Sequence, residues 1–301
     1  MRVSFAFRAA LAAVLATAWI VAGGARALYA QAGLRERTMF VSALTSRGDP
    51  VEGLGPTDFV ITEDGRRREV LRATPASDPI DIALLVDNSA SSPQAIPSFR
   101  RGVTAFVRQM QVGNQMALIA LAERPTIFVD YTSSTEMLER GIGRLNSVFG
   151  SGMTLLDAIT DVSGGLRRRD APRAIIVALL TNGAEFSSRA GRDVIAAMTG
   201  AGAGLHAFVI GHLPTGSSED RERAIVLDQG TAGTGQHVTL LSEMGVESAL
   251  QKLARELTSQ YKVVYGRPES LIPPDKIRVE SARRGVTMRG TPARGDTGGL
   301  K

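Results

Sequence analysis

Ile80-Asp81-Ile82-Ala83-Leu84-Leu85-Val86-Asp87-Asn88-Ser89-Ala90-Ser91 is an apolar run that stops at a carboxylate and continues with two hydroxyls at alternating positions. A nearly continuous Ile/Leu/Val/Ala segment bounded by polar residues predicts a strand buried on both faces, as at the centre of a parallel sheet. In extended chain residues i, i+2 and i+4 point to one side, so Asp87, Ser89 and Ser91 converge just beyond the strand. Three hard oxygens there suit Mg²⁺.

Downstream the pattern alternates. Phe99, Val103, Phe106, Val107 and Met110 share one helical face and predict a helix over 97–111. Strands at 116–122 and 126–131 flank Glu123-Arg124-Pro125, short enough for a hairpin, and a polar-capped helix begins near Ser134. Leu155, Ile159, Val162 and Leu166 predict a longer helix over 153–169. The strand at 174–180 is as apolar as the first and also stops at a polar loop, Thr181-Asn182-Gly183. A helix over 192–199, a strand at 205–211, a flexible glycine-rich connection to Gly235, a strand at 237–241 and a helix over 246–260 complete the order. Strands alternating with helices predict an α/β fold: a doubly wound, mostly parallel sheet with helices on both faces. Such sheets bind ligands beyond the carboxyl ends of their strands, where strand order reverses. The Asp87 and Thr181 loops are such ends, and Thr154, in the loop 150–154, is a third source of hydroxyl oxygen.

The two ends of the chain read differently. Short strand-like runs around Phe40, Phe59 and Val70 are separated by Gly48-Asp49-Pro50 and by Asp64-Gly65, a favoured hairpin turn. Further runs lie at 261–265, 277–279 and 286–288. Neither set closes a core alone, so the two are expected to pair into one small β layer or sandwich with the central domain inserted between them. Arg2 and Arg8 flank the start of an uncharged stretch, 9–23, and Ala25-Arg26-Ala27, Leu28-Tyr29-Ala30 and Ala30-Gln31-Ala32 are cleavage sites of the kind that end a signal peptide. The stretch is short for a spanning helix, so a membrane enters only if this segment is retained as an anchor. The expected organisation is a signal peptide (1–32), an N-terminal β segment (33–75), the α/β domain (76–260) and a C-terminal β extension (261–301), exported to a periplasmic or extracellular location.

Composition narrows the chemistry. Removing residues 1–30 takes away Arg2, Arg8 and Arg26 and no acidic residue, so the formal net charge of +5 falls to +2. Arg66-Arg67-Arg68 and Arg167-Arg168-Arg169 lack neighbouring aromatic residues and read as solvated faces, so no nucleic-acid partner is expected. The chain has no cysteine, which excludes disulfides, thiolate metal sites and cysteine nucleophiles. His206, His212 and His237 fall in or beside predicted strands and read as structural. Gly230-Thr231-Ala232-Gly233-Thr234-Gly235 lacks the Lys-Ser/Thr of a phosphate loop. Arg47-Gly48-Asp49 and Arg294-Gly295-Asp296 read as turns.

Taken together, Asp87-x-Ser89-x-Ser91, Thr154 and Thr181-Asn182-Gly183 resemble the metal-ion-dependent adhesion site of von Willebrand factor type A domains, over residues 78–261. The flanks 48–65 and 259–265 resemble a group of secreted bacterial proteins that carry this domain. The resemblance implies a Rossmann-like fold in which Asp87 holds Mg²⁺ (or Mn²⁺ or Ca²⁺) partly through water. Ser89, Ser91 and Thr154 ligate the ion, and one position stays open for an acidic group of a protein partner. Asn182 stands where the family carries another carboxylate; an amide oxygen coordinates without adding charge, so the ion is expected to be weakly bound. Glu185 is the candidate to replace that charge, against its reading as a solvated loop residue. Thr154-x-x-Asp157 also reads as a capping box with Asp in place of Glu. The expected function is an exported, non-catalytic binding module. The alternatives are a metal-independent scaffold with a degenerate site, and a metal-assisted hydrolase, for which no general base stands out.

Overall fold

A computed structural model describes residues 34–269, 274 and 276–293. The expected signal peptide and the second Arg-Gly-Asp, 294–296, lie outside the described residues. The described residues open with β1 (Leu34–Thr45), β2 (Phe59–Glu63), β3 (Arg66–Arg68) and β4 (Val70–Pro75). The alternating region follows as β5 (Ile80–Val86), α1 (Ile96–Met110), β6 (Gln115–Ala120), β7 (Thr126–Thr132), α2 (Thr135–Gly143) and α3 (Leu155–Arg169). It continues through β8 (Arg173–Leu180), α4 (Gly191–Ala201), β9 (Ala203–Ile210), α5 (Ser218–Gln229), β10 (Gln236–Leu240) and α6 (Gly245–Thr258). The described residues close with β11 (Tyr261–Pro268), β12 (Ile277–Ser281) and β13 (Val286–Pro292).

The central sheet has the order β10-β9-β8-β5-β6-β7, and only β7 runs antiparallel to its neighbour. Every residue of β5 and of β8 is buried, which is why both read as unbroken apolar runs. One face packs on α1 and α6 through Phe99, Phe106, Val246 and Leu253, the other on α3, α4 and α5 through Leu156, Ile159, Val194 and Val226. The chain leaves β5 toward β6 on one side and later returns to place β8 on the other. Strand order therefore reverses between β5 and β8, and sheets of this kind take their ligands beyond the carboxyl ends of the strands at such a reversal.

The two ends of the chain do pair. β1 runs antiparallel to both β11 and β13, β4 pairs β11, and β12 pairs β2 in a second sheet with β3. Met39, Val41, Phe59, Ile61, Tyr261, Val263, Tyr265 and Val279 form their common core. Asp64 (φ +48°) and Gly65 (φ +77°) both take the left-handed conformation that a two-residue hairpin between β2 and β3 requires.

This β layer is fastened to the amino ends of the central strands. Arg173, at the start of β8, donates to the carbonyls of Asp78 (2.8 Å) and Leu257 (2.7 Å) and to Gln260 Oε1 (2.6 Å). Gln260 donates in turn to Ser42 Oγ in β1 (3.0 Å), Lys262 pairs with Asp78 (2.8 Å), and Arg289 of β13 bonds the Glu256 carboxylate of α6. Burial lowers the Arg173 pKa to about 10, which leaves it cationic at neutral pH.

Two stretches depart from the sequence reading. The connection to Gly235 contains a full helix, α5, whose buried residues are Asp220, Arg223, Val226 and Leu227. A face with only two apolar side chains carries little periodic signal; the available cue was the capping box of Ser217 and Asp220. The turn 230–235 is packed tightly, since a Cβ at Gly235 would collide with the Leu205 carbonyl. Arg169 is also more than a solvated residue: it bonds Asp81 (2.7 Å) and Gln115 (2.8 Å) and lies over the Tyr131 ring.

Candidate metal centre

Three loops at the carboxyl end of the sheet close on one another through backbone bonds. The Asp87 N–H donates to Leu179 O (2.9 Å), which sets the first loop against the end of β8. Ala90 N–H donates to Ser151 O (3.2 Å) and Val148 N–H to Asn88 O (2.8 Å), joining the first loop to the second. Met153 N–H donates to Ala184 O (3.0 Å) and Phe186 N–H to Met153 O (2.7 Å), joining the second to the third. Asn88, which sequence reasoning passed over, braces the same junction: its Oδ1 accepts from Ala122 N–H (2.8 Å) and its Nδ2 donates to Asn146 O (3.1 Å).

Asp87 is wholly buried at the centre. Its Oδ1 accepts from Ser89 N–H (2.8 Å); its Oδ2 accepts from Thr181 N–H (3.0 Å) and from the Thr181 hydroxyl. A carboxylate offers about four lone-pair sites, so one remains, on Oδ1. Ser89 is also wholly buried, and its hydroxyl has no hydrogen-bond partner among the described residues. An orphan of this kind costs about 1–3 kcal/mol and calls for an explanation such as a bound ion. Ser91 is exposed, and both hydroxyls close on the third loop: a Cβ at Gly183 would lie 3.0 Å from Ser89 Oγ and 3.3 Å from Ser91 Oγ.

Thr154 is buried immediately before α3, and its hydroxyl donates to Leu121 O (2.8 Å). It stands at the N-cap position of the helix, but its side chain makes no capping bond; Asp157 N–H instead donates to Ser187 Oγ (3.0 Å), and the Asp157 carboxylate pairs with Arg189. The capping-box reading is thereby corrected, because the hydroxyl proton goes to Leu121 and the oxygen lone pairs stay uncommitted. Asn182 is exposed between Thr181 and Gly183.

Glu185 is not a solvated loop residue. It is 2% exposed, with Oε1 accepting from Leu156 N–H (3.4 Å) and Ser187 N–H (3.3 Å). Oε2 has no hydrogen-bond partner among the described residues and stands 3.9 Å from Arg223 Nη1. Burial pushes its pKa up to about 7, against the opposing pull of the Ser187 bond and the Arg223 charge. Arg223, supplied by α5, was invisible to sequence reasoning. It is wholly buried and donates to Gly183 O (2.8 Å), Pro214 O (3.0 Å) and Asp220 Oδ1 (2.9 Å), so a fixed cation holds the third loop from beneath. Burial lowers its pKa, while Glu185, Asp220 and Asp87 favour its charge.

Among the described residues no three His, Asp or Glu side chains gather as a carboxylate- or imidazole-built metal site requires. The set here has one carboxylate, hydroxyls and an amide. It fits a hard cation: an orphaned buried hydroxyl, a second hydroxyl against the same glycine, and one open carboxylate position.

Residues 82–184 match the family model described as the von Willebrand factor type A domain. Among solved structures, the chain is similar to proximal thread matrix protein 1 from the mussel byssus, with a zinc-occupied MIDAS motif. The identity is 13%, over 65% of this chain and 49% of that one, with a TM-score of 0.51. It is also similar to a von Willebrand factor type A protein from Catenulispora acidiphila, at 12% identity over 86% of this chain and 74% of that one, with a TM-score of 0.49. The match thus spans about half the length of the mussel protein. At 13% identity the likeness to the mussel protein is one of fold. No curated protein matches the chain.

Proposed function

The chain carries a von Willebrand factor type A domain, and on that premise we propose that it is an exported, non-catalytic protein-binding module. Asp87, Ser89, Ser91, Thr154 and Asn182 hold Mg²⁺, or Mn²⁺ or Ca²⁺, weakly. When bound, the ion supplies an open coordination position for a carboxylate of a protein partner. The observation that carries this reading is the Ser89 hydroxyl, wholly buried beside Asp87 at the reversal of strand order without a hydrogen-bond partner among the described residues. Residues 76–260 form the binding domain, with the β segments 33–75 and 261–301 as its mount and 1–32 as the export signal. No helix among the described residues is long and apolar enough to cross a membrane.

The chain's own residues set the strength of the site. With Asn182 in place of a carboxylate, Asp87 is the only anionic ligand, and Arg223 beneath the loop opposes a second positive charge. Glu185 would have to leave Leu156 and Ser187 to approach the ion, so the proposal does not count on it. Its pKa of about 7 suits a general base, but a carboxyl 2% exposed does not meet a substrate, which argues against hydrolysis.

Calorimetric titration of Mg²⁺ and Mn²⁺ into the protein, with Asp87→Ala as control, tests the assignment. Saturable binding lost in Asp87→Ala is expected, and Asn182→Asp should tighten it by about tenfold. If neither ion binds and a partner is still held by Asp87→Ala, the metal-free scaffold replaces this account.

A further inference from the structure

Two phenylalanines stand on the loops that enclose Asp87. Phe149 is 100% exposed and Phe186 is 64% exposed. Phe149 lies two residues before Ser151, whose carbonyl takes the Ala90 N–H between Ser89 and Ser91. Phe186 is tied to Met153 by its own N–H, and its ring lies over Gly152, where a Cβ would fall inside contact distance of the ring. The second and third loops therefore each present an aromatic ring beside the serine loop. A wholly exposed ring adds nothing to the core, and large apolar side chains on the loops of a site mark a contact surface.

We propose that Phe149 and Phe186 form an apolar docking rim beside the ion position. The protein partner is then recognised as an acidic residue next to a large apolar one, its carboxylate completing the ion and its apolar side chain covering the rings. This rests on the ion reading above. Charge selects the occupant: a divalent ion held by the single carboxylate of Asp87 keeps a positive surplus, which one carboxylate neutralises. The charged neighbours do not favour a polyanion. Glu123 and Arg124 are exposed side by side with opposite signs, Arg189 is paired with Asp157, and Arg223 is buried. Aromatic anchors with an apolar partner residue then provide most of the affinity and the selectivity.

The test uses the full chain and its Phe149→Ser/Phe186→Ser variant. Mn²⁺ titration comes first, and both should bind the ion alike. Fluorescein-labelled peptides Gly-Gly-Asp-Phe-Gly-Gly, Gly-Gly-Asp-Ser-Gly-Gly and Gly-Gly-Asn-Phe-Gly-Gly are then compared by anisotropy in Mn²⁺. The Asp-Phe peptide should bind the wild type about tenfold more tightly than either of the others, and the double variant should lose the preference for Phe while keeping that for Asp. Equal binding of Asp-Phe and Asp-Ser overturns the rim and leaves the ion reading standing. Equal binding of Asp-Phe and Asn-Phe overturns the carboxylate link and both readings with it. Co-sedimentation with phosphatidylcholine vesicles that disappears in the double variant assigns the rings to a lipid surface and also overturns the proposal.

Discussion

The central sheet ends in opposite ways. At the amino ends of its strands polar side chains act as fasteners: Arg173 joins three acceptors from two segments, Gln260 reaches Ser42, and Arg289 meets Glu256. At the carboxyl ends the backbone is just as well bonded, but Ser89 Oγ and Glu185 Oε2 stand buried without hydrogen-bond partners among the described residues, and Phe149 projects into solvent. One end uses most of its polar groups in joining two layers, Arg173 Nε alone of the fasteners named here being buried without a hydrogen-bond partner among the described residues; the other holds a hydroxyl and a carboxylate oxygen uncommitted. If the carboxyl end binds as proposed, stability and binding are built at different ends of the same strands, and substitutions at the two ends should behave differently.

The largest effect is expected at the fastened end. Arg173→Met leaves the Asp78 and Leu257 carbonyls and the Gln260 amide oxygen without their donor, and should cost about 3–5 kcal/mol in urea denaturation. Mn²⁺ affinity of the folded protein should not change, and a parallel loss of ion binding would break the separation of the two ends.

Next comes pH, for which two buried groups have opposite signs. His206 in β9 is wholly buried with both ring nitrogens unbonded among the described residues, and burial lowers its pKa from 6.5 to about 4. As pH falls from 6.5 toward 4 the unfolded chain takes up a proton that the native state refuses, so stability is lost, by up to about 3 kcal/mol. Glu185 is raised from 4.5 to about 7, so its native carboxyl keeps a proton that the unfolded chain releases. Its contribution is full below 4.5 and is lost as pH rises through 7, by a similar amount. The two slopes oppose each other, and variants separate them. Glu185→Gln should leave a protein that weakens on acidification from pH 6.5 to 4, and His206→Leu one that weakens as pH rises from 4.5 to 7. Unfolding free energies measured across this range check both signs.

Smaller effects sharpen the comparison at the open end. In the absence of divalent ions Ser89→Ala removes a buried hydroxyl with no partner, so it should raise stability by about 1 kcal/mol while abolishing Mn²⁺ binding. A loss of stability instead would mean that this hydroxyl is bonded within the fold. Ser91→Ala, at an exposed position, should change stability by less than about 0.5 kcal/mol and weaken Mn²⁺ about tenfold.

Much of this was legible in the chain. The buried strand at 80–86, the stop at Asp87, the hairpin at Asp64-Gly65 and the pairing of the two ends all follow from apolar runs and turn residues, which act over a few neighbours. Helix α5 was not legible, because its inner face is built from Asp220 and Arg223 as much as from Val226 and Leu227. The burial of Glu185 and the bracing by Asn88 escaped for a related reason. Polar side chains read as solvent-facing until a distant segment is known to cover them.

Apolar spacing and chain order were therefore sufficient for the sheet, its helices and the placing of Asp87, Ser89 and Ser91 at a strand end, since burial on two faces demands an unbroken apolar run. Which polar atoms find partners there depended on folding. Thr181 bonds Asp87 across 94 positions and Arg223 holds Gly183 across 40. Hydrogen-bond satisfaction is a relation between segments that meet only in space, so an orphan such as Ser89 Oγ is written in no local stretch of residues.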